Sequence, residues 1–514
     1  MTDIKDLVKI IEVGAKILNV DYDSKVSTKD ILIKDFSISG HNKNPGEIDS
    51  EKIDKEIKGY EILKATFEQF LKLNKKDVKK DVDDAKEILS INDSIRNLET
   101  MIIRKKSEKI PAFSCNKMEE LNARYKQEAK TDFSDLSNNC YMGNASNIGT
   151  LRTLAGNLAI TVDIQQSFKE SIIRYNSNPK NKSDQKDISN FPRKYYEFYK
   201  DNKENKFLDE VSDLIENKDS IYVNIPTEDG AILRSIYLEP LKSKRINKTV
   251  IIGHGNAMLP EESIGLAQKY LRLGYNVLLA RSRGMYGHSR DLSSAILKDK
   301  NTKYQRWNST PDTLAKDYKA ISKFVGGKSR LLHGFSIGSF GISSTIKEDP
   351  GREDDYIIEH GDASLHEIAK NQAKGILRPI LGKPINLLMG NALNTKDRLK
   401  ELSIQNSKKS GKKSNVFIIH SKKDELMGYQ GVKKNLKNLG LSEDKILEEE
   451  KLGTQEYTSN SGGKVFLNVH KRGTSHSSRN ENLLDSKEFK KFLETGMTNS
   501  NNQELFEKNW DSRK

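Results

Sequence analysis

A serine, an aspartate and a histidine follow one another at points where this chain leaves apolar runs, and together they could carry out acyl transfer. Ser336 stands in "GFSIG", between Gly334 and Gly338, directly after an apolar run. The pattern G-x-S-x-G at a strand-to-helix turn exposes the serine hydroxyl on a tight elbow. A hydroxyl is a poor nucleophile at its free pKa and needs a base beside it. His476 in "KRGTSHSS" follows the last apolar run across a short Gly-containing loop. Asp424, after "NVFIIHSKK", could orient that imidazole and stabilise its cation. Negative charge on a reacting carbonyl oxygen needs N–H donors. The turn Gly253, His254, Gly255 leads to Asn256, whose amide could pair with that of Ile337.

Other residues of the same types read differently. Glu425 rivals Asp424 for the acid. His470 lies inside an apolar run and reads as a packing residue, His254 as a turn-stabilising one, and His333 as buried and hydrogen-bonded. Asp362 and His366 in "IIEHGDASLHEI" have a spacing common at helix starts and read as structural.

The elements that must position these groups lie beyond Lys218. "SIYVNIPTEDGAILRSIYLEP" alternates about Asp229 and Gly230, which predicts a hairpin. The runs "KTVIIGHG", "YNVLLARS", "SRLLHGFS", "DYIIEHGD", "NVFIIHSKKDE" and "KVFLNVHKRG" read as short strands, with helical patterns such as "ESIGLAQKYLRLG" between several of them. That alternation predicts an α/β fold with a doubly wound, mainly parallel sheet, whose ligands sit at the carboxyl ends of the strands. Gly341, beyond the elbow, is expected to let the following helix pack close to the sheet.

The first third reads as helical. Ile53, Ile57, Tyr60, Leu63, Phe67 and Phe70 recur at steps of three and four, as do Val82, Ala85, Leu89, Ile95, Leu98 and Ile102. Ile148 to Val162 suggests a third helix. The stretch 176–190, rich in Pro, Asn, Ser and charge, is the expected linker. The expected organisation is a helical N-terminal domain over 1–180, a linker and connecting helix over 181–217, a catalytic domain over 218–498 and a polar tail over 499–514. The segment 375–393, apolar but interrupted by Pro379, Gly382, Pro384 and Gly390, is expected to line the pocket as a lid, with Leu387 and Leu388 on an acyl chain.

Composition sets outer limits. At 514 residues the chain should hold two or more domains. No apolar run is long enough to span a bilayer, and the start lacks the layout of a secretory signal, so a cytoplasmic protein is expected. The polar tail is also compatible with an export signal. The net charge of +14 is spread among interleaved acids, which describes solvated helix faces rather than a nucleic-acid patch. The basic and aromatic stretch "FPRKYYEFYK" reads as seating a helix on a neighbouring domain. Two cysteines, Cys115 and Cys140, form neither a disulfide framework nor a metal-ligand spacing.

Residues 218 to 495 resemble the α/β-hydrolases, in the branch of serine esterases, acyl-thioesterases and serine-aminopeptidase-like enzymes that carry H-G-N after the third strand. The motifs are "TEDGAILRSIYL", "IIGHGNA", "GYNVLLARSRGMYGHS", "GFSIGSFG", "HSKKDEL" and "GTSH". The resemblance implies Ser336 as nucleophile, Asp424 as acid, His476 as base, and the amides of Asn256 and Ile337 as oxyanion hole. It requires no metal or organic cofactor, and it implies a small-molecule or acylated substrate, with an ester or thioester favoured over an amide. Two departures stand out: Arg281 replaces the usual acid before the R-G pair, and "RGMYGHS" is one residue longer than R-G-x-G-x-S. A different use of the same fold, as a binding or effector scaffold whose helical region contacts a partner protein, is the alternative.

Overall fold

A computed structural model describes residues 48–74, 82–109, 220–255, 263–282, 311–327, 329–361, 364, 394–422, 424, 427–442, 452–470, 481–497 and 499–512. They fall into two compact units. The first contains helices α1 (Ser50–Asn74) and α2 (Val82–Glu108), with the segments Val223–Pro226 and Ala320–Lys328. Of the expected apolar stripes, Leu63, Phe67 and Leu98 are buried together, joined by Ile91, with Tyr60 and Ile95 packed against them; the side chains of Phe70, Val82, Ala85 and Leu89 lie outside the described ones. Ion pairs fix the direction of the helices: Asp54 pairs with Lys109, Glu56 with Lys105, Glu61 with Lys106 and Lys64 with Glu99. Pairing shifts from Lys109 beside Asp54 to Glu99 beside Lys64, so the two helices run antiparallel. The buried Arg104 donates from Nε to the Phe324 carbonyl (2.9 Å) and from Nη2 to the Val325 carbonyl (2.7 Å). It thereby satisfies acceptors that the end of a helix leaves open. The expected third helix, the linker and the stretch around Phe191 lie outside the described residues.

The second unit is built on a nine-stranded sheet in the order β1-β2-β4-β3-β5-β6-β7-β9-β8. Its strands are β1 (Ser220–Pro226), β2 (Ile232–Leu238), β3 (Thr249–Gly253), β4 (Asn276–Ala280), β5 (Leu331–Phe335), β6 (Asp355–Glu359), β7 (Val416–Ser421), β8 (Gly453–Thr458) and β9 (Lys464–His470). The six central strands from β4 to β9 are parallel, flanked by antiparallel β2 and β8. This is the doubly wound, mainly parallel sheet the sequence predicts. Helices cover both faces, so strands such as β5 and β7 are buried at every position and read as unbroken apolar runs. On one face Val250, Ile252, Leu331, Ile357, Phe417, Ile419 and Phe466 pack on α3 (Ile264–Arg272) and on a helix at Lys487–Thr495. The other face carries α5 (Ile337–Glu348), which follows β5 directly, with the first part of α4 (Pro311–Val325) against it; the residues of α4 from Ala320 belong to the first unit. Among the described residues no helix is long and apolar enough to cross a membrane.

The segment expected to be a polar tail is a helix, Ser500–Asp511, capped by Asn499, whose side chain accepts the Asn501 N–H. Its Phe506 and Trp510, four residues apart, enter the core, where Phe506 meets the Tyr275 ring edge-on. Asn509 bonds the Lys244 and Leu273 carbonyls. Only the apolar positions of one face were needed, and the polar residues around them hid that face in the overall composition.

The amino ends of the central strands are tied by buried ions. Asp355, at the start of β6, accepts from Lys248 Nζ (3.0 Å), Lys412 Nζ (2.9 Å) and both the backbone and side-chain nitrogens of Asn415 (3.1 Å each). Burial opposes ionisation of Asp355, but the two ammonium groups outweigh it and hold the carboxyl below its usual range. Such a carboxylate contributes stability that is present above the unfolded pKa of about 4 and lost as pH falls through the lower folded value. Asp355→Asn, which leaves two buried ammonium groups without their counter-charge, is expected to cost about 3 to 5 kcal/mol at neutral pH. Urea denaturation of variant and parent should show that difference shrinking below about pH 4; a constant difference across the range would contradict the account.

Candidate active site

The winding of the sheet reverses at β3, since β4 lies on one side of it and β5 on the other. In open α/β sheets such a reversal opens a crevice at the carboxyl ends of the strands. The loop Gly253–His254–Gly255 and Ser336 leave the sheet there, side by side.

Ser336 has φ 53° and ψ −120°, a backbone conformation that L-residues rarely adopt. Three constraints hold it. Its N–H donates to the Glu359 carbonyl of β6 (2.9 Å). The Ser339 hydroxyl reaches the Gly334 carbonyl (2.7 Å) and the same Glu359 carbonyl (3.1 Å). The first turn of α5 also presses on the β3 loop so closely that a Cβ on Gly338 would run into the Gly253 and His254 carbonyl oxygens, and one on Gly334 into the Gly338 backbone. Gly341 plays a different part from the one expected: a Cβ there would strike the Tyr318 ring of α4, so it seats helix on helix rather than helix on sheet. Ile337 is the first residue of α5, so its N–H is one of those a helix leaves without an internal partner. Asn256, the other expected donor, lies outside the described residues, and so do His476, Glu425, Leu387, Leu388, Asp362 and His366.

Asp424 lies just beyond β7, buried, with its N–H on the Ser421 carbonyl (3.2 Å). Its Oδ1 accepts the Met427 N–H (2.8 Å) and its Oδ2 accepts Nδ1–H of His360 (2.7 Å). His420 donates from Nε2 to the Met427 carbonyl (2.9 Å), so the Met427 peptide is gripped at both ends. His360 stands immediately after β6 and, with Ser336, is one of two non-glycine residues at positive φ among the described residues, at 49°. Sequence reasoning passed over it in favour of Asp362 and His366 in the same segment. The available signal was its place as the first residue after the "DYIIE" run, where this fold puts its chemistry.

His333, His254 and His470, among the described residues, behave as read. His333 is buried between the Tyr270 hydroxyl (2.8 Å) and Glu359 Oε2 (3.1 Å). His254 donates from Nδ1 to the Gly255 carbonyl (2.9 Å) and stabilises the turn. His470 packs its ring 5.4 Å from that of His360. Arg281, in place of the acid usual in the resembled family, is buried at the end of β4, and its N–H meets Ser235 Oγ (3.2 Å).

His360, His420 and Asp424 are the grouping among the described residues that could hold a metal ion, with one ligand atom from each within 4.8 Å of the others. Adjacent ligands on a tetrahedral zinc ion stand about 3.3 Å apart. The 2.7 Å contact of His360 with Asp424 is instead that of a shared proton.

The closeness of α5 to the β3 loop makes Gly338 a sensitive test of the elbow. Gly338→Ala should destabilise the protein by about 1 to 3 kcal/mol and lower the reactivity of Ser336 toward a fluorophosphonate, because either the loop or the helix start must give way. Gly327→Ala, which meets nothing within 4 Å but has φ 77°, is the control for backbone strain alone and should leave reactivity unchanged.

No protein-family model matches the sequence, and no curated protein matches it. Solved structures similar to it include an esterase from Pyrococcus furiosus (17% identity, 54% of this chain and 91% of that one, TM-score 0.34). Others are an alpha-beta hydrolase from Vibrio vulnificus (14%, 57% and 86%, TM-score 0.38) and an acylaminoacyl peptidase from Pyrococcus horikoshii (15%, 56% and 43%, TM-score 0.33). The strand order, the reversal at β3 and the strained serine between β5 and α5 make this an α/β-hydrolase fold.

Proposed function

We propose that the chain is a serine hydrolase that cleaves an ester or thioester through an acyl-enzyme, with Ser336 as nucleophile, Asp424 as acid and His476 as base. The observation that carries this reading is the backbone of Ser336, held at φ 53° at the reversal of the sheet. Strain of this kind costs about 1 to 3 kcal/mol and persists where the surroundings enforce it, characteristically at functional sites. A serine that served only as a small turn residue would not need it, and a binding scaffold would gain nothing from it.

In the proposed reaction Ser336 Oγ attacks the carbonyl carbon while His476 takes its proton. The oxygen of the tetrahedral intermediate is met by the N–H of Ile337 and of Asn256. Collapse expels the alcohol or thiol, which receives the proton from His476. Water then adds by the same route and releases the acid. Asp424 supports the charge on His476 through the carboxylate lone pairs that His360 and Met427 leave over, since an ionised carboxylate offers about four. Leu387 and Leu388 are assigned to the acyl chain.

Ser336→Ala should abolish fluorophosphonate labelling without changing the melting temperature, and Asp424→Asn should slow turnover by several orders of magnitude. Undiminished labelling of the alanine variant would move the nucleophile elsewhere, and a larger effect of Glu425→Gln would reassign the acid. With p-nitrophenyl esters, kcat/KM should rise with acyl length, as each buried methylene contributes about 0.8 kcal/mol. Replacing Leu387 and Leu388 by serine should flatten that rise while leaving acetate hydrolysis intact; a flat profile in the parent would remove the acyl pocket from the reading.

A further inference from the structure

The side chain of His360 has no place in the reaction just described, yet three features single it out. It is wholly buried, its backbone is at positive φ, and its Nδ1–H is bonded to the carboxylate assigned as the acid. We propose that His360 is a positioning residue for Asp424, supplying the donor that keeps this buried carboxylate ionised and aimed toward the base. The proposal rests on Asp424 being the acid.

The geometry comes from the sheet. β5, β6 and β7 are neighbours, so Ser336, His360 and Asp424 leave three consecutive strands side by side. The β6–β7 ladder continues through the His360 N–H to the Ile419 carbonyl (2.9 Å), which ties the His360 backbone to the strand that carries Asp424. Positive φ then turns the chain out of the strand direction immediately after that bond. The imidazole is enclosed by rings from three strands: Phe335 of β5 at 5.8 Å, His420 of β7 at 5.6 Å and His470 of β9 at 5.4 Å between centroids. Asp424, His420 and His470 are the titratable groups facing it among the described residues. A ring so enclosed cannot exchange protons with a substrate, which separates its role from that of a base.

The electrostatic need is equally specific. Burial disfavours an ionised carboxylate, whereas hydrogen bonds donated to it favour the charged form. Among the described residues His360 donates to Asp424 Oδ2 and the Met427 N–H to Oδ1. Take away the first and the carboxylate holds a proton more readily; once neutral, it no longer supports a cationic base. The loss should therefore be greatest at low pH.

The test compares fluorophosphonate labelling rates of the full chain from about pH 5 to 9 for the parent, His360→Phe, His360→Asn, Asp424→Asn and His476→Ala, alongside melting temperatures. Phenylalanine keeps the ring and removes the donor. Asparagine places an amide N–H where Nδ1 stands and tolerates positive φ. Near pH 7, His360→Phe is expected to label about 10- to 100-fold more slowly, the worth of a hydrogen bond to a charged group. Its acid limb should move to higher pH, so that the deficit narrows as pH rises, and His360→Asn should recover most of the rate and the original limb. A His360→Phe deficit of equal size at every pH, or an unshifted limb, marks a purely structural part and overturns the proposal. Parent-like labelling of His476→Ala with an inert His360→Phe would make His360 itself the base, which also overturns it. If Asp424→Asn labels like the parent, the assignment of the acid has failed, and the proposal fails with it for that separate reason.

Discussion

The hydrogen bond from the Ser336 N–H to the Glu359 carbonyl (2.9 Å) decides more of this structure than its length suggests. It extends the β5–β6 ladder one residue past the last strand position, into a turn where Ser336 is already at positive φ. Release of that bond would let the serine relax toward an ordinary extended or helical conformation. The Ser339 hydroxyl grips the same carbonyl, so the start of α5 and the end of β5 are fastened to one acceptor on the neighbouring strand. From the other side, Gly338 lies so close to the Gly253 carbonyl that a Cβ on it would strike that oxygen. The elbow is thus a property of three adjacent parallel strands and not of the local sequence alone.

The same parallel order sets the spacing between Ser336 and Asp424. Strands in a sheet stand about 4.8 Å apart, so residues leaving β5 and β7 are separated by roughly 10 Å with β6 between them. In the proposed mechanism a base that serves both has to reach in over the end of β6. The chain ends β6 at His360, whose buried ring lies among those of Phe335, His420 and His470. The Asp424 carboxylate, arriving from β7, accepts Nδ1–H of that imidazole. Ser336 and His360, both at positive φ, thus follow two neighbouring strands, and the second of them bonds the Asp424 carboxylate.

Much of this was legible in the sequence because periodicity and glycine spacing have few physical causes. Apolar runs of five or six residues bounded by glycine or polar turns fixed the parallel strands, and Gly334 and Gly338 around Ser336 fixed the elbow. The stripes through Leu63, Phe67 and Leu98 became the helical core. What was missed depended on tertiary partners. Gly341 next to an elbow looks like a sheet-packing residue until Tyr318 is found against it. The helix over Ser500–Asp511 needs only Phe506 and Trp510 to hold it, too little apolar character to register against its asparagines. His360 was overlooked because a histidine after a strand has many ordinary uses, and only the carboxylate arriving from β7 gives this one a role.

The two ends of the strands are governed by opposite physics. At the amino ends every buried charge meets an opposite one: Arg330 forks onto Asp354, with Asp349 beside it, and Asp355 lies between Lys248 and Lys412. Such networks are costly to bury and costlier to break, so they hold the strand register without tolerating movement. At the carboxyl ends the backbone is strained at two of the described positions, and the polar groups there include the Ser336 and Ser339 hydroxyls, the imidazoles of His333, His360 and His420, and the carboxylates of Glu359 and Asp424, each bonded to a histidine. A hydroxyl or an imidazole can take and return a proton with little reorganisation, which a saturated ion pair cannot do. The rigid pairing below is what allows strain to be kept above: the strands cannot slide to relieve φ at Ser336 or His360 without pulling Arg330 or Asp355 away from its partners.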